Sequence, residues 1–153
     1  MTTTLSVKTI QALNPCNDRF KNYLNFYKDK EFTVKQFMGL KNITHGDKLW
    51  VAFRLMTREQ AVNTAHDIAS LVLDIFEKRY PGDLRVRECL EAVKLYQKGK
   101  ITLDQLNEKR AGACAAADAA ADACAACAAA GAAAKVRAKQ EKLQLAIVFK
   151  YWK

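Results

Sequence analysis

Apolar side chains recur along most of the chain at spacings of three and four residues, which places them on one face of a helix. The series Val62, Ala65, Ile68, Ala69 and Val72 shows this spacing clearly. No segment alternates apolar and polar residues strictly, as a half-buried strand would. The pattern therefore predicts an all-α fold. Its helices are expected at residues 4–13, 15–28, 34–39, 46–56, 58–79, 84–98, 103–133 and 137–151.

Helix starts are marked by a threonine that is followed three residues later by Gln or Asp. The threonine oxygen can accept from a backbone amide of the first turn, and the second side chain can reach back to the threonine amide. Such pairs are Thr33 with Gln36, Thr44 with Asp47, Thr57 with Gln60, and Thr102 with Gln105. Asn14 before Pro15 and Asp83 after a Pro–Gly break are predicted as further N-caps, and Gly99 as a left-handed C-terminal cap.

The segment from Ala111 to Ala134 contains 17 alanines among 24 residues. Alanine has the highest helix propensity, and the segment lacks the charge enrichment of disordered chains, so we expect a long helix. One side of this helix carries Leu106, Cys124, Cys127 and Gly131, and the opposite side carries Asp104, Asp118 and Asp122. The first side is expected to face inward, which makes this the central helix of a single-domain helical bundle.

The composition changes after Ala134, so we expect a break near Gly131 and a last helix that doubles back. Leu143, Ile147, Val148 and Tyr151 would then join the core, and the basic residues of this helix would face outward. A chain of 153 residues is one domain by length. We expect residues 1–43 to form an N-terminal helical extension and residues 44–153 to form the helical core.

The formal net charge is +9, and it is unevenly distributed. Residues 1–43 carry +4, residues 44–101 carry +2, residues 102–134 carry −2 and residues 135–153 carry +5. This balance favours acidic proteins, nucleotides or nucleic acid as partners, although an evenly solvated basic surface would give the same sum. No membrane span or secretory signal is evident, which predicts a cytoplasmic protein.

Candidate catalytic and metal-binding groups are sparse. Cys124 and Cys127 have the spacing of half a zinc site, but no second pair completes four ligands. Cys89 or Cys16 could be combined with His66 and Asp67, yet no local sequence supports a nucleophilic arrangement. Gly-rich phosphate loops are absent from the sequence. We expect no enzyme activity, no cofactor, no metal and no disulfide among the five cysteines.

Arg85 and Arg87 stand out because they lie in the first turn of a predicted helix, where the helix dipole disfavours positive charge. One interpretation is pairing along the helix, Arg85 with Glu88 and Arg87 with Glu91, or a bridge to helix 103–133. The other is a site for an anion or an acidic partner. The pair Trp50 and Arg54 is similarly ambiguous: Trp50 is expected in the core, with Arg54 stacked on it or bridging to an acid.

Basic residues also alternate with aromatic residues in two segments, at residues 21–30 and 149–153. Aromatic rings can stack on bases while lysines hold phosphates, which would suit a nucleic acid. Amphipathic helices produce the same composition. Nucleic-acid binding is therefore kept as an alternative.

Residues 46–134 resemble the alanine-rich, all-helical immunity-protein family of bacterial polymorphic-toxin systems. The residues that carry the resemblance are Gly46-Asp47-Lys48-Leu49-Trp50 with Arg54-Leu55, the helix around residues 65–69, Asp83-Leu84-Arg85-Val86-Arg87 with residues 88–93, and Gly99-Lys100-Ile101-Thr102 at the start of the alanine segment. The segment before Lys41 is similar to versions carried by phages.

The resemblance implies a non-enzymatic protein that binds and blocks a toxin or, in a phage, a component of host defence. We expect the contacts to involve Arg85, Arg87, Arg54, Lys135, Arg137 and Lys139. The main alternative is a helical homo-oligomer that binds and sequesters nucleotide signalling molecules. The second alternative is the nucleic-acid-binding protein described above.

Overall fold

The computed structural model describes residues 4–28, 30–125 and 133–152, with side chains described up to Ala116 and again from Lys139. This part of the chain is helical apart from one short strand pair, which confirms the predicted all-α class. The helices are α1 (Val7–Ala12), α2 (Asn17–Tyr27), α3 (Val34–Met38), α4 (His45–Leu55), α5 (Arg58–Arg79), α6 (Arg85–Gln97), α7 (Leu103–Ala125) and α8 (Ala133–Tyr151). The strands are β1 (Thr4–Leu5) and β2 (Phe32–Thr33).

The two strands pair antiparallel, with Thr4 opposite Thr33 and Leu5 opposite Phe32. The sequence pattern did not predict them, because two residues are too few to show an alternation. The first helix accordingly begins at Val7 and not at residue 4. Ser6 caps it, since its side chain accepts a hydrogen bond from the backbone amide of Thr9.

The four threonine caps are confirmed. The oxygens of Thr33, Thr57 and Thr102 each accept from the amide three residues on, and the glutamine at that position accepts from the threonine amide at 2.8–2.9 Å. Thr44 accepts from the amide of Asp47 at 3.1 Å. Gly99 has a φ of +66°, and Lys100 donates to the Leu95 carbonyl behind it, as expected for a left-handed helix end.

Two predicted caps need correction. Asn14 does not cap α2, because its own φ of 55° places it at the exit from α1, and Cys16 is the N-cap of α2 without a side-chain hydrogen bond. Asn tolerates this left-handed conformation better than most residues. Asp83 accepts from the amide of Arg85 at 3.2 Å, but Leu84 holds the N-cap position of α6.

The chain divides into two compact units. The first unit is formed by Met1–Thr64 with Glu141–Lys153, and the second unit by Ala65–Gln140. In sequence, the second unit is thus inserted between two segments of the first. The division into an N-terminal helical extension at 1–43 and a helical core at 44–153 stays a prediction.

The first unit has a continuous apolar core. Its buried members come from both segments of the unit: Leu5, Ile10, Tyr23, Phe37, Met38, Ile43, Val51, Ala52, Met56, Val148 and Trp152. Five of these residues precede position 43. The side chains before α4 therefore supply much of this core.

Helix α8 joins that core through a face that differs from the predicted one. Val148 is fully buried, as expected, but Leu143 is 43% exposed. The residues that pack inward are Leu145, Val148 and Trp152, which follow each other at helical spacings of three and four. Gln144 belongs to the same side, and its Oε1 lies 2.6 Å from Nε2 of His45 on α4.

In the second unit, α7 packs against α6 through small residues. Ala92 on α6 and Ala116 on α7 are buried. The stem of Arg85 lies beside Gly112, where an added Cβ would be in ordinary van der Waals contact with the Arg85 Cδ at 3.8 Å. Lys109 Nζ bridges to Glu88 Oε2 at 2.9 Å. The expected inward and outward faces at Cys124, Cys127, Gly131, Asp118 and Asp122 lie outside the residues whose side chains are described, and the expected break near Gly131 lies outside the described residues.

Candidate partner-binding site

Arg85 and Arg87 lie in the first turn of α6, and each forms a two-pronged ion pair. Arg85 donates from Nε to Asp83 Oδ1 at 2.9 Å and from Nη2 to Asp83 Oδ2 at 2.7 Å. Arg87 donates from Nε to Glu77 Oε1 at 2.7 Å and from Nη2 to Glu77 Oε2 at 2.6 Å. These carboxylates offset the repulsion between the arginines and the positive end of the helix dipole.

The partners of both arginines differ from the predicted ones. Glu88 pairs with Lys109, and the carboxylate held by Arg87 is Glu77 on α5, not Glu91. Side chains on a helix lean toward its N-terminus, so an arginine in the first turn reaches back toward the preceding turn and helix. Asp83 and Glu77 lie in that direction, whereas Glu88 and Glu91 lie one turn ahead.

The two pairs hold their charges firmly at neutral pH. The hydrogen bonds from Arg87 lower the pKa of Glu77, and those from Arg85 lower the pKa of Asp83. The same bonds raise the pKa of Arg85 and of Arg87. Both carboxylates therefore keep their negative charge to a lower pH than unpaired carboxylates do.

The ion pairs orient the arginines without consuming all their donors. A guanidinium has five N–H groups, and each pair uses one on Nε and one on Nη2. The arginine side chains are 48% and 45% exposed, about twice as much as the carboxylates that hold them. Arg85 and Arg87 thus present oriented, solvent-facing donors to any acceptor that approaches this surface.

A groove of about 480 Å³ runs beside Arg87 between α5 and α6. Helix α5 contributes His66, Ser70 and Leu73 to it, and α6 contributes Arg87, Leu90, Glu91, Lys94 and Leu95. These positions follow each other at spacings of three and four, so one face of each helix lines the groove. Its leucines form an apolar strip with charged residues of both signs around it.

Several large apolar side chains of the second unit are exposed. Val72 and Ile75 are three residues apart on α5, which places them on one face, and Ile75 is 55% exposed. Leu84, directly before Arg85, is also about half exposed, as is Leu103 at the start of α7. Of these residues, Leu84 is the neighbour of Arg85 in the chain, so an exposed apolar side chain and an oriented charge are close together there.

A family model described as Imm-5 like putative immunity protein matches residues 52–147. The chain belongs to the Imm-5 like family. The resemblance found in the sequence is thereby confirmed, and the matched region contains α5, α6 and α7 with both arginine pairs and the groove. Neither a curated protein nor a solved structure matches the chain.

Among the other predicted contact residues of this Imm-5 like protein, the side chains of Arg54 and Lys139 are described. Arg54 belongs to the first unit, where its Cζ lies 4.4 Å from the ring centroid of Trp50, so the predicted stacking is confirmed. Lys139 on α8 is exposed. The side chains of Lys135 and Arg137 lie outside the described residues.

Two aromatic residues of the segments considered for nucleic-acid binding lie in the core. Tyr23 and Trp152 are both more than nine-tenths buried, whereas Phe26 and Phe149 are exposed. Buried rings cannot stack on bases without unfolding the core. The alternation of basic and aromatic residues therefore reflects, at Tyr23 and Trp152, the amphipathic helices to which they belong.

The residues of this Imm-5 like protein considered for nucleophilic chemistry include Cys89, His66 and Asp67. Burial raises the pKa of the Cys89 thiol, which disfavours the thiolate that a nucleophile requires. His66 is hydrogen-bonded to its neighbour Asp67, with Nδ1 and Oδ1 3.2 Å apart.

The described residues include no group of three His, Cys, Asp or Glu side chains that could hold a metal ion. None of the described helices has the length and hydropathy needed to cross a membrane.

Proposed function

We propose that this Imm-5 like protein is a non-enzymatic inhibitor that binds a toxin or a host defence protein and blocks it stoichiometrically. The surface of α5 and α6 is the proposed contact. The observation that carries the proposal is the pair of carboxylate-held arginines, of which Arg87 lines a groove with an apolar strip, within the region matched by the immunity-protein family.

The energetics of association support this surface as a contact. Binding costs free energy for each flexible side chain that becomes ordered, and Asp83 and Glu77 already order the two arginines. Arginine is enriched among the residues that carry most of the binding free energy in protein interfaces. Leu73, Leu90 and Leu95 line the same groove as Arg87 and supply apolar surface beside it.

The charge of the chain favours an acidic partner. A net charge of +9 attracts negatively charged surfaces over a distance of about 10 Å at moderate salt. Lys135, Arg137 and Lys139 on α8 and Arg54 on α4 remain proposed contacts that add to this attraction. The proposal places the encounter in the cytoplasm, either in a bacterium that carries the toxin or in a cell infected by a phage.

The test compares two double variants of the tagged protein in capture experiments from host lysate at low salt. Arg85→Gln with Arg87→Gln removes both proposed contacts, and Lys98→Gln with Lys100→Gln removes the same charge at the opposite end of α6. A captured protein is then co-expressed with each variant, and growth is measured. We expect the wild type and the lysine variant to capture it and restore growth, and the arginine variant to lose at least about tenfold in affinity.

Circular dichroism and thermal unfolding of the arginine variant separate lost recognition from lost structure. The proposal fails if the folded arginine variant captures the same protein as tightly as the wild type does. It also fails if the wild type enriches no protein over the lysine variant and over a tag-only control, or if the captured protein is not neutralised at a one-to-one ratio.

A further inference from the structure

A pocket of about 390 Å³ lies in the first unit, between one face of α2 and one face of α4. Helix α2 lines it with residues that include Arg19 and Tyr23, and α4 lines it with residues that include Asp47, Trp50 and Arg54. The volume falls within the range of roughly 300–1,000 Å³ that is usual for small-molecule sites. Most of the lining precedes residue 52, where the family match begins.

The pocket combines aromatic walls with an excess of positive charge. Arg54 stacks on Trp50 with its Cζ 4.4 Å from the ring centroid. Arg19 Nη1 lies 3.4 Å from Asp47 Oδ2, and that oxygen also accepts from Thr44 Oγ1 at 2.6 Å. Asp47 therefore balances Arg19, and the charge of Arg54 is left without a neutralising carboxylate among the described residues that line the pocket.

Tyr23 closes one side of the pocket. The side chain lines the pocket and is only 3% exposed, and its hydroxyl has no hydrogen-bond partner in the described part of the chain. Burial raises the pKa of this phenol, so it keeps its proton. The hydroxyl oxygen itself has almost no accessible surface, so Tyr23 contributes its ring, and not its hydroxyl, to the pocket wall.

We propose that this pocket binds a small molecule with one negative charge and a flat ring. One negative charge matches the single uncompensated guanidinium of Arg54. The flat ring matches the aromatic and aliphatic walls, which include the ring of Tyr23. Aryl carboxylates and cyclic nucleotides both have this chemistry. Arg54 is also one of the residues proposed to contact the inhibited protein. The pocket does not involve Arg85, Arg87 or the groove, so its failure would leave the proposed inhibitory surface of α5 and α6 untouched.

The first test is calorimetric titration of the full chain with two anions and their neutral counterparts. The probes are 2-naphthoate with 2-naphthalenemethanol, and cyclic AMP with adenosine. We expect saturable one-to-one binding of at least one anion and binding of its neutral counterpart that is about 10-fold weaker or more. Binding of naphthoate alone would identify an aryl carboxylate site, and binding of cyclic AMP alone a nucleotide site.

Three variants separate the proposed contacts from general effects. Arg54→Gln should weaken binding of the anion about 10-fold or more and leave its neutral counterpart unaffected. Arg58→Gln removes the same charge from an exposed position outside the pocket and should change neither. Tyr23→Phe keeps the ring that lines the pocket and should leave binding of the anion unchanged, and the free protein should be as stable or more stable, because the variant removes an unpartnered hydroxyl.

Cys16 provides a second readout, because its thiol is exposed and lines the pocket. Cys114 on α7 is also exposed and lies in the other unit, so it serves as an internal control. We expect a bound anion to slow alkylation of Cys16 by iodoacetamide several-fold, as measured by peptide mass spectrometry, and to leave Cys114 unchanged.

The proposal is overturned if neither anion shows saturable binding at millimolar concentration. Equal affinity for an anion and its neutral counterpart, or unchanged affinity in Arg54→Gln, would also overturn it. Binding that leaves the alkylation rate of Cys16 unchanged would place the ligand elsewhere and would contradict it as well.

Discussion

Arg87 and Glu77 join the two helices of the α5–α6 hairpin through two parallel hydrogen bonds of 2.7 and 2.6 Å. The bonds lie close to the turn that contains Pro81 and Gly82, where the chain reverses direction. Glu77 therefore fixes both the position of α6 against α5 and the direction in which the Arg87 guanidinium faces solvent. This one ion pair therefore contributes both to the packing of α5 with α6 and to the proposed recognition of a partner.

Replacing Glu77 by Gln should make the protein less sensitive to acid. The pKa of Glu77 is lowered in the folded state, so the unfolded state binds more protons in the acid range, and stability falls as the pH falls. The contribution is complete above the unfolded pKa of about 4.3 and is lost as the pH drops through the lower folded value. Denaturant unfolding at a series of pH values should give a shallower dependence for Glu77→Gln.

The control for this experiment is Glu31→Gln, at an exposed position before β2 without a described ion pair. It should leave the acid dependence closer to that of the wild type. An equally steep loss of stability in Glu77→Gln and in the wild type would mean that the Arg87–Glu77 pair does not contribute in solution.

Exchanging the two charges should separate the structural role of Arg87 from its proposed role in recognition. Arg87→Glu alone places two carboxylates together and should lower Tm. The double variant Glu77→Arg with Arg87→Glu restores an opposite pair and should recover most of that loss. The same double variant should still fail to capture the partner, because the positive charge now projects from α5. Recovered stability together with recovered capture would contradict a specific contact through Arg87.

Val148 and Leu143 on α8 should respond very differently to alanine. Val148→Ala removes a fully buried side chain and should lower the free energy of unfolding by about 2 kcal/mol. Leu143→Ala changes a side chain that is 43% exposed and should cost less than about 0.5 kcal/mol. Urea unfolding of both variants gives the comparison, and equal losses would show that another face of α8 packs in solution.

Two glycines should give effects of opposite sign. Gly99→Ala places a Cβ on a residue with a φ of +66° and should destabilise the protein by about 1–2 kcal/mol. Gly46→Ala lies within α4, where no atom is within 4 Å of the added Cβ, and should stabilise by about 0.5–1 kcal/mol. Thermal unfolding of the two variants measures the difference. A stabilising Gly99→Ala would contradict the left-handed end of α6.

The features predicted correctly from the sequence are those that depend on nearby residues. The four threonine caps and Gly99 were found because a cap requires particular side chains within three or four positions. Asn14 shows the limit of this reasoning. Asn suits both an N-cap and a left-handed residue, and the short path from α1 to α2 selects the second.

The features that were missed depend on residues far apart in the chain. Arg87 could not be assigned to Glu77 without knowing how α5 and α6 lie against each other across the turn. Leu143 and Leu145 both fit a helical apolar pattern, and only the core of the first unit distinguishes the buried one. The pocket lined by Arg19 and Arg54 likewise depends on the packing of α2 against α4, which no local pattern records.

The burial of both Leu5 and Trp152 in one core has a consequence for how the protein is made. A ribosome releases the N-terminal side chains long before it synthesises Val148 and Trp152. The inserted residues 65–140 can gain helical structure during that interval, but the first unit must wait for the last helix before it excludes water. Its folding rate should therefore be limited by contacts between distant parts of the chain, and the nascent protein should depend on protection from aggregation until Trp152 has left the ribosome.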